Sequence, residues 1–451
     1  MRNMVNTKQH IKGLNPDLSF NGINKWASGS YYKLTEDIKL NKKVIDDEGN
    51  LIIGDHNEWI PIGLSDASFK GMFEGDNHNI EGIYINQSAD YQGLFGYVNN
   101  SSYFIKNLTL SNSYIKGYKF VGGFIGYIYV GRIENLVNKS TIEGTSNVGG
   151  IAGYFYGSND EANNFKNYGN IKATGGAVGG IIGGTRDLQQ RYENLINYGS
   201  IKATGDAVGG LIGGGSISSL LNGSNYGEVS GGNNVGGICG SVGGSLSYVS
   251  NHAIINGCKT CSNVGGIVGN GGRISFSYNK GTITGSYAIG GIAGVLGYSI
   301  ISSYNNGKIN CSRYCGGIVG TSMANSSSDL YNTGEVLGRE YVGGIFGRNT
   351  KATTLKNVYN IGQVNEGNSF NLIGNIVDDT NYLNLFSLNS NSNTTKVTVK
   401  TLSQFADFNG SDSVLKSFDN DSDFIASTNP NYNFPILSWQ EEVSDFIYEN
   451  N

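Results

Sequence analysis

The sequence predicts an all-β chain wound as a parallel β-helix, with about 28 residues and three short strands per coil and a cap at each end. Three observations predict it. Glycine pairs recur at a near-constant interval, an Asn-x-Gly-x-Ile/Val element travels with them at fixed phase, and no segment carries the i, i+3, i+4 apolar stripe of a helix.

The glycine element comes first. VGGIAG (148–153) returns as VGGIIG (178–183), VGGLIG (208–213), VGGICG (235–240) and VGGIVG (264–269). The first glycine of each pair falls at 122, 149, 179, 209, 236, 265, 290, 316 and 343, so steps run from 25 to 30 residues. QGLFG (92–96) extends the series backward and FNLIG (370–374) closes it, giving eleven copies across 92–374. A phosphate cradle is one Gly-rich turn leading into a helix. Nine tandem pairs with no helix after them read instead as corners, where positive φ is allowed and layers approach closely.

The asparagine element precedes each pair: NYGNI (167–171), NYGSI (197–201), NYGEV (225–229), NKGTI (279–283), NNGKI (305–309), NTGEV (332–336) and NIGQV (360–364). Asn at a fixed turn position is expected to stack along the axis, amide to amide, and to take up the left-handed conformation of a sharp corner. The third element is an alternating apolar stretch such as RIENLVN (132–138) or SIISSYN (299–305). Strands of this kind pair with their equivalents in the next coil, and eleven coils at about 4.8 Å each predict a repeat region about 50 Å long.

Composition agrees. The chain has 451 residues with 69 Gly, 4 Pro and few charges (31 Lys+Arg, 36 Asp+Glu), so its surface is closed mainly by hydroxyls and amides. A net charge of −5 gives no basic footprint for nucleic acid. No apolar run reaches the length of a membrane helix. The start, MRNMVNTKQHIKGLNPDL, has no apolar signal core. Residues 1–25 read as a polar lead-in, 26–91 as the N-terminal cap and entry coils, 92–374 as the repeats and 375–451 as a closing region or cap. Trp26, Trp59 and Trp439 lie in the end regions, where capping the open core is the expected role.

Five cysteines leave one unpaired whatever the connectivity. Cys258/Cys261 and Cys311/Cys315 sit two repeats apart, too far for one zinc ion, so the expectation is small buried apolar cysteines, with a local disulfide as the alternative. No cofactor or metal is expected. FDNDSDF (418–424) starts like a calcium loop, but Phe424 and Pro430 stand where Gly and Glu are needed.

The VGGIxG unit with its Asn-x-Gly-x-Ile partner resembles the GLUG repeat of bacterial surface adhesins, a module also found beside the catalytic region of some Gram-positive immunoglobulin A metalloproteases. YYKLTEDIKL (31–40), WIPIG (59–63), FKGMFEGDNHNIEGIYI (69–85) and NYNFPILSWQ (431–440) are similar to the segments that open and close such modules. The resemblance implies the solenoid fold strongly and function weakly, since one module serves several activities. The four histidines, His10, His56, His78 and His252, form no HExxH, which excludes the protease reading for this chain. No clear carboxylate pair for polysaccharide cleavage is present, so the enzyme question leans to no.

Two surfaces are candidates for binding. YFYGSNDEANNF (154–165) and TRDLQQRYENL (185–195) extend the loop after VGGIxG in consecutive repeats and therefore project from one face. Tyr156, Asp160, Glu161, Arg186, Asp187, Arg191, Tyr192 and Glu193 are its candidate contacts. The second is a ladder just after the Asn, formed by Tyr168, Tyr198 and Tyr226, expected to face outward. A further ladder just before it, Tyr278, Tyr304, Tyr331 and Tyr359, occupies another phase; at most one of the two ladders is expected to be buried. The preferred function is a non-enzymatic extracellular adhesion or binding module whose partner is a host or bacterial surface glycan or protein. No nucleic-acid partner and no membrane insertion are expected. The alternative is a phage or bacteriocin tail protein that recognises a cell surface, located in the virion or tail and able to degrade polysaccharide; unpaired cysteines would suit its cytoplasmic synthesis.

Overall fold

The computed structural model describes residues 31–440 apart from 158–160, 187–188, 365–368, 377–380, 389–390, 393 and 429–431. The polar lead-in, His10 and Trp26 lie outside the described residues. The chain is a parallel β-solenoid of about 11 turns with about 28 residues per coil. Among the described residues a repeat coil carries two to four strands, most of them short but with continuous runs at Phe95–Lys116 and Ile125–Gly144. One turn holds Ile171–Ala173, Val178–Gly179, Ile182–Arg186 and Arg191–Asn197; the first three are in parallel register with equivalents 30 residues on and the last with its equivalent 28 residues on. Two compact units share the turns: residues up to Ser245 with His252–Asn256, and Leu246–Asn251 with Gly257 onward.

In the first unit, like residues stack on like. Ile142, Ile171, Ile201 and Val229 are in register and almost fully buried, as are Val121, Val148, Val178, Val208 and Val235. Each such side chain stabilises the fold by about 1.5–3 kcal/mol relative to exposure. β-branched residues suit the pleated, half-buried surface, which is why the pattern recurs.

The Asn element forms the expected ladder. Asn138 Nδ2 donates to Asn167 Oδ1, Asn167 to Asn197 and Asn197 to Asn225, at 2.7–2.8 Å. The second unit repeats this through Asn251, Asn279, Asn305, Asn332 and Asn360, each step at 2.8 Å. Each amide also donates to the carbonyl two residues on, as Asn167 does to Gly169 at 2.9 Å, and Asn167 Oδ1 accepts from Gly169 N at 3.2 Å. A fully buried amide is thereby satisfied, as low dielectric demands.

Two expectations about the corners are corrected. The paired glycines do not take positive φ. The left-handed residue is the one before the Val: Asn147, Ala177, Ala207, Asn234 and Asn263, with φ between 54° and 62°. The glycines are needed for room, since a Cβ on Gly180 would overlap the carbonyl oxygen of Gly210 and the amide of Asn197. The ladder Asn is likewise not left-handed. A different asparagine three residues earlier is, at Asn135, Asn164, Asn194, Asn222 and Asn357, with φ from 53° to 60°. One Asn bends the chain and the other bonds the coils.

In the second unit Tyr278, Tyr304, Tyr331 and Tyr359 stack at 4.8–5.1 Å within 5° of parallel, and all four are buried. Leu330 and Asn332 on either side of Tyr331 point into the core, so by strand alternation the ring points out. The closing region covers it. Phe405, Phe418, Phe424 and Trp439 pack with this ladder in one buried cluster, and Phe434 packs against it. The segment runs back over it, from Phe405 against Tyr359 at 5.3 Å to Trp439 against Tyr304 and Tyr278 at 5.8 and 6.2 Å. Trp439 Nε1 donates to Ser302 O at 3.0 Å, and Gln440 Nε2 to the Tyr331 hydroxyl at 2.7 Å. Trp439 therefore plates the flank of the coils rather than plugging an open end. In the first unit Trp59 is buried and donates to Leu94 O at 3.2 Å.

The cysteine expectation is also overturned. Cys258–Cys261 and Cys311–Cys315 are disulfides, and Cys239 alone is free and buried. Short spacing inside one corner brings each pair into bonding range without distorting the ladder.

Candidate functional site

The strip after the ladder Asn lies at the surface. Each ring follows a buried Asn and precedes a glycine, at a corner where successive backbones are bonded: Tyr198 N donates to Asn167 O at 2.7 Å and Tyr226 N to Asn197 O at 2.8 Å. Tyr168, Tyr198 and Tyr226 are 45%, 43% and 36% exposed. Their rings stack at 4.8 and 5.1 Å within 11° of parallel, and His252 continues the pile at 4.5 Å from Tyr226. His252 occupies the same phase in the looser NHAII repeat, and sequence reading missed it because it sought tyrosine alone. Lys139, one coil earlier, places its ammonium 5.7 Å from the Tyr168 ring centre. Burial, and then the neighbouring phenols, raises the Tyr198 hydroxyl above the usual tyrosine range; burial raises that of Tyr226. The hydroxyls remain protonated donors at neutral pH.

Stacking decides what the strip offers. The π faces are turned toward one another, so the outer surface is a row of ring edges and phenol oxygens at the coil spacing. Ring edges carry the positive part of the aromatic quadrupole. The strip is therefore a rail of hydrogen-bonding phenol oxygens and ring edges, and not a flat platform of ring faces.

One end of the rail opens into a groove of about 570 Å³ whose walls include Tyr168, Lys139, Asn170 and an arm at residues 42–50. The arm is pinned to the coil flank. Thr141 Oγ1 donates to Gly49 O at 2.6 Å and Asn170 Nδ2 to Glu48 O at 2.9 Å. Asn112 Oδ1 accepts from Val44 N and Ile45 N at 3.0 and 3.3 Å. Gly49, at φ 82°, sits against Asn170 and Thr141 where a Cβ would crowd both. Lys43 pairs with Asp47 at 3.1 Å and Glu81 with Lys39 at 2.9 Å, so much of the groove's charge is internally matched. Nothing in the repeat phase announces this arm; its one signal is the turn DDEGN (46–50), where Asp46 accepts from Asn50 N at 2.6 Å.

The loops at 154–195 come together only in part. Arg186 lies 5.9 Å over the Tyr156 ring, and Tyr156 stacks on Tyr129 at 4.9 Å. Arg191 and Glu193 are exposed on one strand. Tyr192, between them, is a correction: it is 1% exposed, packs edge-on to Phe155 at 5.9 Å and meets Thr185 Oγ1 at 3.1 Å. Strand alternation sends it into the core when its neighbours face out. Asp160, Asp187 and the side chain of Glu161 lie outside the described residues. On the same unit, Tyr97, Tyr127 and Tyr154 stack at 4.9 and 5.3 Å, braced edge-on by Phe120. Burial raises all three phenols above the usual range.

No family model matches the chain. A curated protein of Evansella cellulosilytica described as "Putative Gly-rich membrane protein" is 31% identical over 117 residues, 25% of this chain. The chain spans only 12% of that protein's length. A crystal structure titled as a putative immunoglobulin A1 protease from Bacteroides ovatus aligns over 52% of this chain and 74% of its own, with 23% identity and a TM-score of 0.43. Among the described residues no helix is long and apolar enough to cross a membrane.

Proposed function

We propose that this chain is a non-enzymatic binding module of a bacterial surface protein, built from GLUG-type repeats, that holds an extended glycan or protein segment along the Tyr168–Tyr198–Tyr226–His252 rail. The observation that carries this reading is the rail itself: four stacked, surface-lying rings, repeated at one phase where three other phases of the same coils are buried Asn, Val and Ile. Such a ladder costs the core nothing and has no packing role on its exposed edge. An extended ligand matches it because binding energy accumulates ring by ring.

Extracellular placement is supported by the two disulfides, which persist in oxidising compartments and are rare in the cytosol. The tail-protein alternative drew on unpaired cysteines and loses that support. The name of the Evansella relative is consistent with a cell-envelope setting.

A glycan array together with a panel of purified surface proteins tests the reading, using the whole chain and its Tyr198→Ala variant. Removing the middle ring interrupts the rail, so at least a tenfold loss of affinity for whatever binds is expected. Ligands captured equally by both chains would overturn it.

A further inference from the structure

One corner of the second unit departs from the repeat. The buried residues that bracket this corner, Ile283 and Ile289, Ile309 and Cys315, and Val336 and Val342, stand six residues apart in three successive coils. Ile255 and Val264, the buried residues on either side of Cys258–Cys261, stand nine apart. The surplus forms a projecting turn, closed by the Cys258–Cys261 disulfide and by Cys261 N donating to Cys258 O at 3.0 Å. Its two sulfurs differ in access. Cys258, Lys259 and Thr260 are exposed, whereas Cys261 is buried. The Cys261 carbonyl is fixed to the next coil, accepting from Ser286 N and Tyr287 N at 3.1 and 3.2 Å.

The other disulfide is built differently. Cys315 fills a core position in register between Ile289 and Val342, is fully buried, and is roofed by Gly338, where a Cβ would meet its Sγ. Neither bond joins one coil to another, since each lies within a single corner. Closing so short a loop removes little chain entropy, and the corners at Gly285–Ser286 and Gly338–Arg339 form without cysteine. The Cys258–Cys261 bond is therefore dispensable to the coils, and one of its sulfurs is open to reaction.

We propose that Cys258–Cys261 is a thiol–disulfide exchange site that captures cysteine thiols. An incoming thiolate attacks Cys258 Sγ, the Cys258–Cys261 bond breaks, and its electron pair passes to Cys261 Sγ, leaving the partner's sulfur joined to Cys258. The Cys261 thiolate either takes a proton from water or attacks Cys258 again and expels the partner as a thiolate. A second external thiolate that attacks the partner's sulfur instead releases a partner disulfide and leaves both cysteines reduced. Access selects Cys258 as the attacked sulfur and Cys261 as the resolving one, since exchange depends on which sulfur a thiolate can reach. Lys259, exposed in the same turn, adds a positive charge that favours the thiolate form.

Incubation of the whole chain with reduced glutathione, followed by alkylation and mass mapping of each cysteine, tests the proposal. Cys258–Cys261 should open at least tenfold faster than Cys311–Cys315, with the far-ultraviolet signal of the coils unchanged. With oxidised glutathione, Cys261→Ser should hold one glutathione on Cys258, and Cys258→Ser should hold none on Cys261. A decapeptide bearing one cysteine, run beside glutathione, separates polypeptide thiols from small ones, and capture of either at Cys258 upholds the site. Opening no faster than that of Cys311–Cys315, loss of the coil signal as Cys258–Cys261 opens, or glutathione on Cys261 would overturn it. The comparison of the two disulfides needs no variant, so it stands should a substituted chain fail to fold.

Discussion

Asn197 shows how much one side chain can carry. Its amide accepts from Asn167 and donates to Asn225 and to the Gly199 carbonyl, all inside the core. Asn197→Ala would strand partners on two coils, and a loss of about 3 kcal/mol in urea unfolding is expected. Ser327 is the converse. It sits in register between Ile300 and Leu355, is 1% exposed, and its hydroxyl has no partner among the described residues. Ser327→Ala should raise stability by up to about 1 kcal/mol in the same assay. The ladder asparagine was legible because identical residues recur at one phase. The bending asparagine was not, because Tyr248, Phe276, Ser302 and Asp329 take the same left-handed turn in other coils and break the pattern. Tyr192 was misplaced because tyrosine fits either face, and only its position between Arg191 and Glu193 could have decided it.

At the scale of the element, the corner distinguishes two kinds of glycine. Gly180→Ala should unfold its coil, since backbone atoms of the next coil occupy the space. Gly243, with nothing within 4 Å, should accept alanine at no cost or with a gain of about 0.5 kcal/mol, both read by thermal melting. The closing segment makes a different forecast. Tyr304, Tyr331 and Tyr359 beneath it are pushed well above the ordinary phenol value of 10.0 by burial. The unfolded chain releases these protons first, so this stability is intact below pH 10 and is lost as pH climbs beyond it. Trp439 fluorescence should report release of the segment above pH 10, before the far-ultraviolet signal of the coils is lost. Sequence identified 375–451 as a closing region from its loss of period. It could not show that the segment lies along the flank, because aromatic residues that cover a ladder and those that plug an end have the same composition.

For the whole molecule, repetition makes a coil a removable part. Deleting residues 197–224 joins Ile196 to Asn225 and keeps every phase, since the two asparagines are 28 residues apart. The shortened chain should melt in one transition within a few degrees of the parent, whereas deleting half as many residues should abolish folding. It should also bind its rail ligand more weakly, because Tyr198 leaves with the coil. Fold class was readable from the sequence because the period is long-range information written many times. The arm at 42–50 was not, since it is written once.

The buried asparagines have one more property. Every amide in a ladder donates toward the following coil and accepts from the preceding one. Their dipoles therefore point the same way, and no member can be reversed without setting oxygen against oxygen on one side and hydrogen against hydrogen on the other. Each ladder therefore runs in a single sense, which every amide's own bonds to the residue two positions on hold in place. A coil grafted from elsewhere must arrive with that same sense.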